Sequence, residues 1–167
     1  MKATGIVRRI DDLGRVVIPK EIRRTLKIRE GMPMEIFTDS SGEVILKKYS
    51  PVGEMEPLAQ SYAETLSSMT GYGIAVTDTE QIIALAGPAK KELMKKAIAP
   101  QIDECISTKE IFRSSKDETL LVSKDIPAAA VLVYPIVSMG DAMGSIILIK
   151  GEKSPPTVSD EVFDKTR

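Results

Sequence analysis

The stretch DLGRVVIPKEIRRTLKIREG, residues 12–31, decides how the chain is read. Val16, Val17 and Ile18 are β-branched and follow Gly14, whose freedom at positive φ suits a tight turn. Asp11-Asp12-Leu13-Gly14 therefore reads as the turn of a hairpin whose arms are residues 5–10 and 15–18. Pro19 fits the first turn of a helix, where its missing N–H would find no partner in any case. Glu21 lies at the favourable end of the helix dipole, Ile22 and Leu26 recur four residues apart, and the spacing predicts a short helix over 19–27. On its wheel Lys20, Arg23, Arg24 and Lys27 stand at i, i+3, i+4 and i+7, with Ile18, Ile22 and Leu26 opposite. Gly31 and Pro33 stop the helix, and residues 34–38 and 44–49 form a second strand pair around Asp39-Ser40-Ser41-Gly42.

Working outward, residues 1–50 hold 11 Lys or Arg against 7 acids, a charge of +4, while the remainder carries −5. A basic part and an acidic part call for different partners, and a polyanion is the natural one for the first. A basic helix face is by itself only a solvated face. Here Arg8, Arg9 and Arg15 on the neighbouring arms add to it, and six of the nine basic residues up to Arg29 are arginine, whose fork suits phosphate and guanine edges. Period-two alternation places Arg8 and Arg9 on opposite faces of one strand, so one of the two faces DNA; the sequence leaves the choice open, with Arg8 preferred. Fifty residues with one Phe, one Tyr and no Trp bury little apolar surface alone, and without a disulfide or metal a second copy is the cheapest completion of the core.

In residue type and spacing, Asp12, Gly14, Arg15, Ile18, Pro19, Arg23, Leu26, Ile28 and Gly31 resemble the AbrB-type swapped-hairpin DNA-binding family. Over its whole length the chain is similar to sporulation regulators of endospore-forming bacteria that join such a domain to a GAF-like one. The resemblance implies an α+β protein with a swapped-hairpin β-barrel dimer at residues 1–50, a linker at 51–57 and a GAF-like α+β sensor or oligomerisation domain at 58–167. It assigns DNA contact to Arg8, Arg15, Arg23 and Arg24, with Lys20, Lys27 and Arg9 as further candidates. Asp12, Gly14, Pro19 and Gly31 are read as structural, Asp12 as a local cap. A nucleoid-associated, forespore location is implied as well.

Beyond the linker the periodicity predicts a helix over 58–69 closed by Gly71, strands at 72–77 and 82–86, a Lys-rich helix at 89–97, a helix at 100–108, a strand near 120–123 and a final hairpin of 129–138 with 143–150. Leu58, Tyr62, Leu66 and Met69 form one apolar stripe, and Val162 and Phe163 begin another behind a Ser159 cap. That last helix would be only about two turns long, which points to a chain that continues past Arg167 or to docking on another helix. Stripes of this kind usually face a domain's own core, but these two flank the second domain, and the resemblance implies that they join two dimers into a tetramer.

Histidine is absent, which removes the commonest general base and metal ligand, and no other catalytic constellation is present, so no enzymatic step and no cofactor are expected. An unidentified small effector on the GAF-like domain stays open. Cys105 reads as a small buried residue. No apolar run is long enough to span a membrane and the start lacks a signal-peptide core, so a cytoplasmic protein is expected. The reading is a sequence-specific regulator of sporulation genes, activator and repressor, bound to double-stranded DNA. Its alternatives are an antitoxin-type DNA-binding protein and a GAF metabolite sensor whose first domain only dimerises.

Overall fold

The computed structural model describes residues 5–114, 120–152, 154, 158–159, 162 and 166. The chain divides into two compact units, Met1–Tyr49 and Ser50–Arg167.

The first unit contains helix α1 (Lys20–Thr25) and an antiparallel pair, β1 (Met34–Thr38) with β2 (Val44–Lys48). Its two turns are built alike. At the first, the N–H groups of Leu13 and Arg15 donate to Asp11 Oδ1 at 3.1 and 2.7 Å, and Gly14, at φ +75°, donates to the Asp11 carbonyl. At the second, Ser41 and Glu43 N–H each donate to Asp39 Oδ1 at 3.0 Å, and Gly42, at φ +84°, donates to the Asp39 carbonyl. The turn at 11–15 therefore forms as expected, with Asp11 and not Asp12 as its cap. Its arms, however, form no strand ladder in the single chain. Among the described residues of this unit only Pro19 is buried, and Val7, Ile10, Leu13 and Val17 are each at least 70% exposed. The arms meet where Asp11 N–H donates to the Arg15 carbonyl at 3.0 Å, and beyond that bond their apolar side chains stay largely exposed.

The second unit is a six-stranded antiparallel sheet between helices. Its path is β4 (Ile82–Ala86), β3 (Gly73–Thr77), β8 (Asp141–Ile149), β7 (Ala129–Ser138) and β5 (Phe112–Arg113), with β6 (Leu120–Leu121) also on β7. Helix α3 (Glu56–Thr70) covers one face, burying Ala59, Ala63 and Ser67 against Ile74, Val76 and Leu148. Helix α4 (Pro100–Thr108) covers the other, where Ile102 and Ile106 meet Ala75, Val133 and Ile147. Both faces being covered, all five residues of β3 are buried. Gln60 on α3 closes the exposed edge of β4 by accepting from Leu85 N–H and donating to the Leu85 carbonyl, both at 3.1 Å, in place of a further strand.

Two expectations are corrected. The stretch 51–57, read as a linker from its Pro and Gly, is helical: α2 (Pro51–Glu54) leads into α3, with Pro51 and Pro57 in first turns, where proline is tolerated, and Val52 packs on the core. The Lys-rich segment makes only a 3₁₀ turn, Lys91–Leu93. Its backbone serves the sheet instead: Lys95 N–H donates to the Ile82 carbonyl and Ile82 N–H to the Lys96 carbonyl, with Lys95 at φ +59°. Near the end, Val162 N–H donates to Ser159 Oγ at 3.4 Å, the cap expected of that serine, and Val162 and Thr166 lie in helical backbone.

Gly144 lies against the bulge of β3, where a Cβ would come within 1.9 Å of the Thr77 carbonyl oxygen. Gly144→Ala is therefore expected to destabilise the chain by about 1–3 kcal/mol, read from its denaturant midpoint, and an unchanged midpoint would contradict this packing. At the turns, hydrogen bonds hold both carboxyls below the usual range: Asp11 through the Arg15 backbone first and the Arg15 side chain second, Asp39 through the Ser41 hydroxyl first and the Glu43 backbone next. A lowered folded pKa means that the stabilising bonds are intact above the unperturbed value of roughly 3.9 and are lost as pH falls through the lower, folded one. Carboxyl ¹³C titration should accordingly give both residues midpoints below that of free aspartate; a midpoint at or above it would disprove the shared turn chemistry.

Candidate nucleic-acid interface

The basic residues of the first unit come from three places: the arm before the first turn, the turn itself and helix α1. Pro19 is buried, and its carbonyl accepts the first helical bond, from Arg23 N–H at 2.9 Å. Lys20 and Arg24 are exposed, whereas Ile22 and Arg23 are half-buried. Arg23 thus turns partly inward, and its Nε is a buried donor with no partner among the described residues. The helix has six residues, fewer than the spacing predicts. It closes when Ile28 N–H donates to the Arg23 carbonyl at 2.7 Å and Lys27 N–H to the Arg24 carbonyl at 3.2 Å, the paired bonds of a Schellman ending. Lys27 occupies the left-handed position at φ +52°, where glycine is usual, so it lies past the helix and not on its i+7 face. The exposed helical face is Lys20 with Arg24, flanked by Lys27 from the cap.

Arg15 is exposed, and its Nε donates to Asp11 Oδ2 at 2.8 Å, so the turn carboxylate orients this guanidinium. Arg8 and Arg9 are both exposed, and because 5–10 forms no β-strand in the single chain, exposure does not separate them. Gly14 and Gly31 sit at positive φ. Asp11 was overlooked in favour of its neighbour; the signal that finds it is the repeat, since Asp11 and Asp39 each precede a glycine by three residues.

On the second unit the large side chains of the α3 stripe split. Leu58, Tyr62 and Met69 are 45%, 61% and 53% exposed, but Leu66 packs on the domain's own core, as does Val162. Two of the residues expected at an interface between chains are thus largely occupied at home, because α3 lies on the sheet through its small residues and Leu66 borders them. Phe163 lies outside the described residues. Cys105 is half-buried beside the α4 core, and burial, aided by Glu104, pushes its thiol up and away from thiolate reactivity. Among the described residues no group of three His, Cys, Asp or Glu could hold a metal, and no helix is long and apolar enough to cross a membrane.

The family described as "Stage V sporulation protein T C-terminal, transcription factor" matches residues 54–163, and that described as "Antidote-toxin recognition MazE, bacterial antitoxin" matches residues 7–54. Stage V sporulation protein T of Bacillus subtilis (strain 168) is 45% identical over 166 residues, which is 98% of this chain and 93% of that protein. The transition state regulatory protein AbrB of the same organism is 61% identical over 51 residues, 30% of this chain and 52% of its own length. Among solved structures, a type II free methionine-R-sulfoxide reductase from Thermoplasma acidophilum shares 13% identity at a TM-score of 0.50, over 69% of this chain and 86% of its own, a likeness of fold alone. Matched over nearly its whole length, the chain belongs to the stage V sporulation protein T family of transcription factors.

Proposed function

We propose that the chain is a sequence-specific regulator of sporulation genes, activator and repressor, that binds double-stranded DNA through an interleaved dimer of its first unit. The observation that carries this reading is a preformed turn between two arms whose apolar side chains stand exposed, set beside arginines and lysines from three elements. A second copy would cover Val7, Ile10, Val16 and Val17 and complete a swapped-hairpin β-barrel, and two-fold symmetry would double the basic set on one surface. Arg8 or Arg9, Arg15, Lys20, Arg24 and Lys27 are then the contacts, while half-buried Arg23 keeps its unpartnered Nε for the duplex or for the second chain. That Lys27 occupies a strained position where glycine would be easier supports a role for its charge.

The second unit, in this reading, is a GAF-like sensor that also joins dimers into a tetramer through Leu58, Tyr62 and Met69. The protein would act in the cytoplasm, on the nucleoid of the forespore, with no enzymatic step and no resident cofactor. An antitoxin reading draws on the match over residues 7–54. It requires a short tail that orders on a partner, whereas residues 50–167 form a compact unit with a core on both faces of its sheet.

Gel-shift of the full chain tests the proposal. Arg24→Ala, at an exposed side chain, should weaken operator binding by roughly tenfold without altering thermal stability, and Arg23→Ala/Arg24→Ala by more. Unchanged binding by the double variant would favour the metabolite-sensor alternative, in which the first unit only dimerises. Lys27→Gly is expected to move the two properties in opposite directions, with stability level or raised by up to about 1 kcal/mol and DNA affinity lowered. Loss of both together would mean that Lys27 serves the fold alone.

A further inference from the structure

Between α4 and the sheet, Leu93, Ile102, Val122, Val133 and Ile147 are fully buried in one apolar cluster. An open cleft lies at the end of the sheet. Residues after α3, after β4, before β7 and at the end of β8 enclose a cleft of about 610 Å³, within the range that holds small molecules. Among the described residues that line it, Gly71, Ala89, Ala128 and Ile149 carry no charge, and Lys90, Lys150 and the one acid, Glu152, stand on its rim. Among the described residues neither Lys90 nor Lys150 has an ion-pair partner, unlike Lys95, which pairs with Glu56.

We infer that this cleft is the effector site of the second unit and takes a small monocarboxylate with a hydrocarbon body. The rim's two ammonium groups and one carboxylate leave a net charge of +1, which complements one negative head group, and the uncharged lining receives an apolar body. The site also reaches the helix that follows the DNA-binding unit. Ser154 Oγ donates to the Gly71 carbonyl and accepts from Gly151 N–H, both at 3.2 Å, so one hydroxyl ties the end of α3 to the end of β8 at the cleft wall. Occupancy would bias α3 through that tie, an effect that rests on the reading of the second unit as a sensor.

Methyl NMR of the full chain labelled at Ala and Ile tests the site, with hexanoate as the probe and hexanol as its uncharged match. Hexanoate should shift the methyls of Ala89, Ala128 and Ile149 and leave Ile102 and Ile106 in place. Hexanol should need at least roughly tenfold higher concentration, and Lys90→Met/Lys150→Met should bring hexanoate down to the level of hexanol. Absence of shifts at saturating hexanoate, equal binding of hexanol, indifference to the lysine substitutions, or the same shifts produced by inorganic phosphate would each overturn the assignment. If the cleft fills as expected while operator affinity stays constant, the site stands and the sensor reading fails.

Discussion

Apolar side chains that one chain cannot cover are the constraint on which the rest of this protein depends. Val7, Ile10, Leu13 and Val17 lie open to solvent, and in the described first unit only Pro19 is buried. Water penalises such a surface at about 25 cal/mol per Å², and a unit of this size has no other element with which to offset it. The proposed interleaving of two copies follows from that deficit. It would also settle the basic residues, since arms paired across a two-fold axis hold Arg8, Arg9 and Arg15 at a set distance from α1 and its counterpart.

The second unit is under no such pressure. Its sheet is covered on both faces, Gln60 caps the edge at Leu85, and close backbone approaches are relieved by Gly87 and Gly144. A domain with a core on both faces of its sheet is thus joined to one whose apolar side chains stand largely exposed. The connection carries structure as well. Two residues, Tyr49 and Ser50, separate β2 from α2, and Val52 of α2 packs on the second unit's core.

Much of this was legible in the residues. Gly14 and the polar run ending at Gly42 placed both turns of the first unit, Pro19 marked the start of α1, Gly71 the end of α3, and the alternation of 129–150 the long final hairpin. What escaped was local competition. Lys95 and Lys96 have the composition of a helix but donate and accept along β4, because an edge strand offers their backbone a partner that helix propensity does not outweigh. Within the α3 stripe, the wheel alone does not show that the helix rests on its sheet through Ala59, Ala63 and Ser67, which brings Leu66 onto the core and leaves Leu58, Tyr62 and Met69 outward. The cleft could not be read at all, since its walls are separated by up to about eighty residues of chain and none carries a motif.

By itself, then, the sequence determined what depends on neighbours along the chain: the turns, the helix start at Pro19, the basic character of residues 8–27 and the family they resemble. Only the tertiary structure decided which of those basic groups are exposed, that Lys95 and Lys96 pair along β4, which side chains of α3 face the sheet, and where space remains around it. The physical reason is that turns and caps are set by bonds between residues two to five apart, whereas exposure, edge pairing and cavities are set by segments that meet only once the chain has folded.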